Sequence, residues 1–503
     1  MTERGMTVQY LIGIDVGTSG TKVLLTDTAG RIAASVTKEY ALYQPQSGWA
    51  EQDPADWWQA ACEGIREVLE KSGIRAAQVA CIGLTGQMHG MVMLDQDDRV
   101  LRRAILWCDQ RTEAECEQII STVGHDRYIQ IAANPPLTGF TCPKILWVKK
   151  HEPDIYRQCA HILLPKDYIR FCLTGNKASE VTDASGTGLL NVRERAWSQE
   201  LFDALDIPAH WFGPLLESSE IAGQITEAAA AATGLQAGTP VIAGAGDNAA
   251  AAIGNGMVAP GDAFVSIGTS GVVYVCTDGC KIHPQGIVHS FCAAVPDQWY
   301  VMGVTQAAGL SLKWFRENFA ECFAAPGVHP YDRMTELAAA VPPGAEGLTY
   351  LPYLMGERTP HLDPNARGAF IGLQYGHKKE HFVRAILEGV AFSLTDCVEA
   401  IREMRVDIPQ LSACGGGSHS ALWRQILADV TGIPLETIGQ NEGPALGAAI
   451  LAGVGAHIYP TIEDACKVFR KPGEQTVPGE NVYQKPYQQY RALYPALKGR
   501  FTF

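Results

Sequence analysis

Residues 12–27 read IGIDVGTSGTKVLLTD, and residues 263–278 read AFVSIGTSGVVYVCTD. When the two copies of GTSG are aligned, the Thr-Asp pair that ends each stretch aligns as well, at an offset of 251 residues. Each stretch is an apolar run, a turn bounded by glycine and a second run rich in β-branched residues, which is the pattern of a β-hairpin. Because a repeat at half the chain length indicates a duplicated unit, the sequence predicts two related α/β domains with a boundary near residue 257.

Length and composition agree with a chain of two or more domains. The 503 residues exceed what one hydrophobic core usually spans, and 47% of them are hydrophobic, as in ordinary folded proteins. The 51 glycines are more than the usual share of about 7%. They concentrate at 13–20, 83–90, 244–271 and 415–417, where we expect tight turns that face a ligand.

Charge and cysteine usage exclude several classes of function. A net charge of −14 argues against a nucleic-acid partner, which needs a concentrated basic surface. The sequence has no run of about 18 apolar residues, so we expect no membrane span. Fourteen cysteines without a CxxC pair, after a start that lacks a signal-peptide pattern, predict a cytoplasmic protein.

One group of metal-binding residue types needs separate treatment. Its members are Cys276, Cys280, His283, His289 and Cys292. Their spacing fits no common zinc pattern, and Cys276 ends an apolar strand. Structural cysteines are therefore the favoured interpretation, with a metal site as the alternative.

The two hairpins differ at the residue that stands two before the first glycine, which is Asp15 in the first copy and Ser266 in the second. Asp15 lies between apolar residues at a strand end, where an unpartnered charge is costly. This favours a role linked to a metal or a phosphate over a solvated or capping carboxylate. Two such turns, one from each half, could hold a polyphosphate with backbone N–H groups and hydroxyls, in a cleft between the domains.

The segment TPVIAGAGDNAAAAIG at 239–254 allows three interpretations. Asp247, after a predicted strand, could accept a proton from an attacking alcohol, or it could cap a helix. The glycines also match G-x-G-x-x-A, the dinucleotide fingerprint, with Asp262 near the expected acidic position. Because the motif stands mid-chain with little room for a Rossmann helix and strand, a nicotinamide oxidoreductase is the weaker hypothesis.

Two further glycine-rich segments follow predicted strands. In GLTGQMHGMVMLD at 83–95, His89 is either a structural histidine or a hydrogen-bond partner for a sugar hydroxyl. Near the end of the chain, a helix over 378–404 precedes the strand 411–414, the turn Gly415-Gly416-Gly417 and another helix. That turn either lets a flat ligand approach the backbone or is simply tight. No P-loop and no protein-kinase motif set is present.

Taken together, these segments resemble the FGGY carbohydrate kinases over nearly the whole chain. The family's signatures are matched by GFTCPKILWVKKH at 139–151, GERTPHLDPNARG at 356–368 and GAFIGLQYGHKKEHFVRAILE at 368–388. Within the family, WAEQDPADWW at 49–58, GQMHG at 86–90 and GDNAA at 246–250 resemble the branch that phosphorylates D-xylulose. The resemblance implies an α/β chain of two ribonuclease-H-like domains, of the actin, Hsp70 and hexokinase type, around a central cleft.

The resemblance also implies roles for individual residues. Residues 8–257 would bind the sugar and supply the base, and residues 258–490 would bind the nucleotide. ATP and Mg²⁺ are the implied cofactors, with D-xylulose phosphorylated at its C5 hydroxyl. By the resemblance, Asp247 is the catalytic base, Met88, His89 and Asn248 contact the sugar, Asp15 acts through Mg²⁺, Thr18 and Thr269 touch the phosphates, and Gly309, Lys313, Gly416 and Ser420 border the nucleotide. Ser420 stands where some members have Asn, which weakens that contact.

Other functions stay open at this point. A kinase for another ketopentose or polyol fits the same motifs, because epimers differ by a few hydroxyl contacts. An actin-fold sensor that binds nucleotide without phosphoryl transfer is a third class, although it would have no use for Asp15 and Asp247. The partners expected are a small sugar but no nucleic acid and no membrane, with a homodimer as one option for assembly.

Overall fold

The computed structural model describes residues 8–319, 323, 327–439, 442–471 and 473–501. The strands of the first half are β1 Tyr10–Val16, β2 Gly20–Asp27, β3 Ile32–Glu39, β4 Glu51–Gln52, β5 Val79–Gly86, β6 Val92–Leu94, β7 Ala104–Ile105, β8 His161–Leu163, β9 Ser179–Glu180, β10 Leu190–Asn191, β11 Ala196–Trp197, β12 Leu215–Leu216, β13 Ile221–Gln224, β14 Pro240–Ile242 and β15 Ala245–Gly246. Those of the second half are β16 Ala263–Ile267, β17 Gly271–Thr277, β18 His289–Cys292, β19 Trp299–Thr305, β20 Thr349–Leu351, β21 Ala369–Ile371, β22 Leu411–Cys414, β23 Leu435–Thr437 and β24 Gln475–Thr476.

Helices cover both sheets. In the first half they are α1 Pro54–Ser72, α2 Glu113–Val123, α3 His125–Ala132, α4 Thr141–His151, α5 Pro153–Gln158, α6 Pro165–Thr174, α7 Val181–Ala184, α8 Gln199–Leu205, α9 Glu227–Thr233 and α10 Asp247–Gly254. In the second half they are α11 Gly309–Phe319, α12 Pro330–Ala339, α13 Lys379–Glu403, α14 Ala421–Thr431, α15 Pro444–Gly455, α16 Ile462–Phe469 and α17 Gln484–Leu497.

The central sheet of the first half has the strand order β13-β14-β5-β1-β2-β3, with β15 also paired to β5. Strands β1, β2 and β3 form an antiparallel meander, and β5 runs parallel to β1. Strand β14 then runs parallel to β5. The predicted hairpin over residues 12–27 is therefore confirmed as β1 and β2.

The sheet of the second half repeats this arrangement in the order β18-β19-β17-β16-β22-β23-β24. Strands β16, β17 and β19 are antiparallel, β22 runs parallel to β16, and β23 runs parallel to β22. The core orders β3-β2-β1-β5-β14 and β19-β17-β16-β22-β23 are thus equivalent strand for strand. The prediction of a duplicated α/β unit is confirmed.

Helix α15, although it belongs to the second half of the chain, packs on the sheet of the first half. A Cβ atom on Gly13 of β1 would lie 1.9 Å from Ala445 O, and one on Gly83 of β5 would lie 1.9 Å from Ala448 O. Glycine is required at both positions because the helix backbone rests directly on the strands. On its other side α15 contacts α10.

Several local predictions are confirmed. Asp53 is the N-cap of α1 and accepts a hydrogen bond from Ala55 N, and Gly73 ends that helix in the left-handed conformation. Helix α13, strand β22 and helix α14 stand where the sequence placed them. Among the described residues, no helix is long and apolar enough to cross a membrane.

The five residues of the cysteine and histidine group do not converge. Cys276 lies on β17, while His289 and Cys292 lie on β18. His289 Nδ1 is 2.9 Å from Asn134 Oδ1, and Cys292 Sγ is 3.6 Å from the Val192 carbonyl oxygen. Within the described ranges, no three His, Cys, Asp or Glu side chains form a group that could hold a metal ion.

Candidate active site

The carboxyl ends of three neighbouring strands in the first half bring two carboxylates together. In the parallel pairing of β1 with β5, Asp15 stands beside Thr85, and in the pairing of β15 with β5, Ala245 stands on the other side of Thr85. Asp247 follows two residues after Ala245, at the first position of α10. The carboxyl end of such strands is where α/β sheets usually bind their ligands.

The environment of Asp15 suits a cation. Burial and, after it, the nearby charge of Asp247 raise its pKa to about 7, with Lys22 partly offsetting both. In the described part of the chain, Asp15 Oδ1 and Thr85 Oγ1 are buried without a hydrogen-bond partner. Two neighbouring buried oxygens without hydrogen-bond partners cost folding free energy unless a cation or its bound waters contact them. The residues present therefore fit Mg²⁺.

Asp247 is held by its own neighbour. Its Oδ1 accepts hydrogen bonds from Asn248 N at 2.7 Å and Asn248 Nδ2 at 2.9 Å. No described group donates to Oδ2, which leaves that oxygen for a ligand. Burial raises the pKa of Asp247 to about 6, while the bonds from Asn248 lower it. The alternative role as a helix cap is wrong, because Gly246 is the N-cap of α10 and the cap makes no side-chain hydrogen bond.

His89 is both structurally held and available to a ligand. Its Nδ1 is 2.6 Å from Gly186 O, and its ring stacks on Phe140 with 4.5 Å between the ring centroids. Because a carbonyl oxygen only accepts, Nδ1 carries the hydrogen and Nε2 is left as an acceptor. Burial lowers the pKa of His89 to about 3, so the ring is neutral. Met88, the preceding residue, is buried against Gly246.

The first hairpin turn is fixed by polar side chains from elsewhere in the first half. Thr18 Oγ1 accepts a hydrogen bond from Trp107 Nε1 at 3.0 Å and donates to Gln87 Oε1 at 3.3 Å. Thr18 O accepts from Gln52 Nε2 at 2.7 Å. These hydrogen bonds fix Thr18 in the turn that follows Asp15 and engage its hydroxyl in the fold.

The second hairpin turn rests on the start of α11. Thr269 O accepts from Ala308 N at 3.0 Å and from Leu310 N at 3.1 Å, and Gly268 O accepts from Gly309 N at 2.7 Å. Lys313 lies one turn further along α11, half-exposed, with its ammonium 3.8 Å from Glu317. The turn to which the resemblance assigns a phosphate contact and the helix that it places at the nucleotide are therefore in contact.

The triple-glycine turn is adjacent to the second hairpin. Strand β22 pairs with β16 up to Cys414, so Gly415 and Gly416 lie beside the end of β16. Gly416 is exposed, and a Cβ atom there would meet no heavy atom within 4 Å. Ser420 is the N-cap of α14 and accepts from Trp423 N, so its hydroxyl is engaged in the fold. Open space above Gly416 is compatible with a planar base.

Sequence reasoning missed several residues that build the site. Phe140 and Gly186 position His89, and Gln52 with Trp107 positions Thr18. A Cβ atom on Gly186 would lie 2.5 Å from His89 Cε1. The glycine-rich segment TDASGTG at 182–188 was a signal for Gly186, whereas the others are separated from their partners by 34 to 89 residues.

Comparison with known proteins identifies the family. The model of the FGGY family of carbohydrate kinases, N-terminal domain, matches residues 10–254, and that of its C-terminal domain matches residues 263–456. The chain belongs to the FGGY family of carbohydrate kinases. The family resemblance and the actin-like fold expected from the sequence are thereby confirmed.

Individual FGGY kinases match the chain along nearly all its length. Xylulose kinase of Bacillus subtilis is 40% identical over 496 residues, which is 98% of this chain and 97% of the relative. An Escherichia coli L-xylulose/3-keto-L-gulonate kinase is 32% identical, with 98% of each chain covered. The crystal structure of ligand-bound xylulose kinase from Lactobacillus acidophilus superposes with a TM-score of 0.92 at 29% identity, covering 98% of this chain and 99% of that one.

The fold of this FGGY kinase also excludes a Rossmann dinucleotide-binding unit at residues 239–254, where the sequence matches the fingerprint. In a Rossmann unit, the helix after the glycines leads to a further parallel strand of the same sheet. Here α10 leads instead to β16, which begins the second sheet and pairs antiparallel with β17. Gly244 serves close packing, since a Cβ atom there would lie 2.1 Å from Leu84 O.

Proposed function

We propose that this chain transfers the γ-phosphoryl group of ATP to the C5 hydroxyl of D-xylulose and forms D-xylulose 5-phosphate. The observation that carries the proposal is the meeting of Asp15 and Asp247 at the carboxyl ends of β1 and β15, in a chain 40% identical to a xylulose kinase. A nucleotide-binding sensor would have no need of two half-buried carboxylates whose pKa values are raised by their partial burial.

Asp247 is the general base in this mechanism. Its free Oδ2 accepts the proton of the sugar hydroxyl as the hydroxyl oxygen attacks phosphorus. Asn248 holds Oδ1 by two hydrogen bonds, so only Oδ2 is presented to the sugar. With a pKa of about 6, Asp247 is ionised at neutral pH and still basic enough to take a proton.

His89 and Met88 orient the sugar. The Nε2 acceptor of neutral His89 suits a hydroxyl donor, and the stack on Phe140 fixes the ring plane. Met88 supplies an apolar surface under the carbon chain. Positioning of this kind removes much of the entropic barrier to attack.

Asp15 and the two hairpin turns form the part of the site that binds the phosphates of ATP. Asp15 and Thr85 would hold Mg²⁺ or its water shell, and the ion would neutralise charge on the phosphates. Thr18 and Thr269 would contact the phosphates from opposite halves. Gly309, Lys313, Gly416 and Ser420 would border the nucleotide, with Ser420 contributing the least because its hydroxyl caps α14.

An ADP-release assay with a panel of sugars tests the proposal. D-Xylulose, D-ribulose, L-xylulose, glycerol and D-gluconate are each supplied with ATP and Mg²⁺, and the product is located by phosphorus NMR. We expect the highest kcat/KM with D-xylulose and a product phosphorylated at C5. Faster turnover of another sugar, or ADP release that no sugar stimulates, would refute the assignment.

A further inference from the structure

Behind Asp247 lies a cluster of five charged side chains that are all fully buried: Lys166, Asp167, Arg170, Glu180 and Asp183. The Lys166 ammonium is 2.8 Å from Asp167 Oδ1 and 3.1 Å from Asp183 Oδ2. Arg170 Nη1 is 2.8 Å from Asp167 Oδ1. Burying so many charges is costly, which points to a task beyond stability.

Arg170 of the cluster and Thr182, which is bonded to Glu180 of the cluster, hold the segment that ends at Asp247 in two places. Arg170 Nη1 donates to Ala243 O at 2.7 Å. Three residues further on, Gly246 N donates to Thr182 Oγ1 at 2.8 Å. Both contacts are on the main chain, one two residues before β15 and one at its last residue, so they fix the path of the backbone into α10.

The hydrogen bond between Gly246 N and Thr182 depends on the fixed direction of the Thr182 hydroxyl. Thr182 Oγ1 donates its single hydrogen to Glu180 Oε2 at 2.8 Å, so it can only accept from Gly246 N. Glu180 is itself held, because Oε1 accepts from Thr182 N at 2.8 Å and from Ser218 Oγ at 2.7 Å. The hydroxyl therefore cannot rotate away from Gly246 without losing a charge-assisted bond.

The Asp247 carboxylate has no other external support among the described residues. Both of its hydrogen bonds come from Asn248, which is the next residue and moves with it. The direction of the carboxylate therefore follows the backbone at Gly246. Gly246 is also packed against Met88, since a Cβ atom on this glycine would meet Met88 Sδ at 3.1 Å.

We propose that Thr182, with its hydroxyl oriented by Glu180, is a positioning residue that aims the Asp247 carboxylate at the sugar hydroxyl. The inference rests on the proposed role of Asp247 as the base. Thr182 touches neither the sugar nor the nucleotide in this scheme. Its effect is confined to the geometry of proton transfer, which should appear in kcat rather than in KM.

The variant Thr182→Val tests the proposal, because it keeps the shape of the side chain and removes the hydroxyl. We expect kcat to fall by about 10- to 100-fold, since misplacement by about 1 Å can cost about 100-fold. The KM for D-xylulose should change by less than about threefold. Thr182→Ser retains the hydroxyl and should recover most of kcat.

Thr233→Val is the matched control. Thr233 is also fully buried, its hydroxyl donates to Ala229 O at 2.7 Å and accepts from Leu235 N at 3.3 Å, and it lies at the end of α9. Loss of this hydroxyl should lower the melting temperature as Thr182→Val does, but leave kcat unchanged. If both variants lowered kcat per folded protein equally, or if Thr182→Val left it within twofold, the proposal would be wrong.

A double variant separates this inference from the proposed function. Combined with Asp247→Asn, Thr182→Val should cause no further loss, because the group that it positions is gone. If the losses in kcat of the two single variants multiplied in the double variant, the positioning role of Thr182 would be wrong. The role of Asp247 as the base would still stand. Asp247→Asn with normal turnover would instead refute the base, and with it the inference.

Discussion

At the scale of single residues, the site is built on two half-buried carboxylates. Asp15 and Asp247 lie at the ends of strands whose neighbouring residues are apolar, and burial raises the pKa of each. Both side chains retain an oxygen that no described group contacts by a hydrogen bond. The charged form of such carboxylates is destabilised, so they are strongly stabilised by binding a cation or a proton.

The pH dependence of turnover should report Asp247. Because the base acts only when ionised and its pKa is about 6, kcat/KM should be level above neutral pH and fall as the pH drops through about 6. Initial rates from pH 5 to 8.5 at saturating ATP would measure this. In Asp247→Asn, kcat should drop by about 100-fold or more and the acid limb should disappear. An acid limb well below pH 5 would contradict the pKa shift.

The stability of Asp15→Asn should exceed that of the unsubstituted chain at pH 8. The pKa of Asp15 is raised in the folded state to about 7, so the folded state binds a proton more tightly than the unfolded state does. Stability is therefore lost as the pH rises towards 7, and a neutral side chain avoids that loss. Thermal unfolding without metal should show the two melting temperatures converging near pH 4.

Added Mg²⁺ supplies the second readout of the same variant. It should raise the melting temperature of the unsubstituted chain at pH 8, because a ligand of the folded state stabilises it, and it should leave Asp15→Asn nearly unchanged. Asp27→Asn is the control at the other end of the same hairpin. Burial acts to raise the pKa of Asp27, but hydrogen bonds from Arg31 and Ala29 lower it overall, so its loss should destabilise the fold at pH 8.

At the scale of elements, the contact of helix α15 with the first sheet and with α10 is made through glycine. A Cβ atom on Gly447 would lie 1.8 Å from Ala250 O, and one on Gly254 would lie 2.8 Å from Gly443 O. Main chains in such contact leave no space for side chains, so the two helices pack more closely than larger residues would allow.

Gly447→Ala should therefore destabilise the protein, although alanine favours helix by about 1 kcal/mol over glycine. The helices must separate, and overpacking of this kind costs about 1–3 kcal/mol or more. Gly279→Ala is the matched control, since a Cβ atom there would meet nothing within 4 Å. Urea unfolding should show a lower midpoint for Gly447→Ala alone, and equal midpoints for the two variants would contradict the packing argument.

At the scale of the whole molecule, the two halves share a core. Leu11 and Cys81 of the first half pack in one hydrophobic cluster with Ala445 and Ile450 of the second. Polar contacts add to this, because Lys22 Nζ lies 2.7 Å from Glu442 Oε2 and Asn134 Nδ2 donates to Ser290 O at 2.8 Å. Contacts across the middle of the chain thus cover one face of the first sheet, while the ligands would lie between the two hairpin turns.

The first half should not fold when it is expressed alone. A fragment of residues 8–257 lacks α15 and leaves the apolar back of β1 and β5 open to water, which favours collapse without fixed packing. We expect strong dye binding and no cooperative unfolding for that fragment. Co-expression with residues 258–503 should yield a folded, active complex. Cooperative unfolding of the isolated fragment would show that the shared cluster is dispensable.

Patterns along the chain were sufficient to predict both hairpins, the cap at Asp53, helix α13 and the turn at Gly415–Gly417. Each of these features depends on residues that are close in sequence. The same patterns singled out Asp15 and Asp247 as charges in apolar surroundings. The resemblance of motifs to FGGY kinases extended this to the family and to a list of site residues.

The sequence by itself thus determined the elements, the duplication and the candidate chemistry. Only the tertiary structure decided that β15 joins β5 and brings Asp247 towards Asp15, that α15 crosses to the first sheet, and that Thr182 holds Gly246. The physical reason is separation along the chain: Thr182 lies 64 residues from Gly246, and α15 lies more than 400 residues from β1. Contacts between residues so far apart in sequence are set by strand order and long-range packing. The local periodicity of the sequence does not predict them.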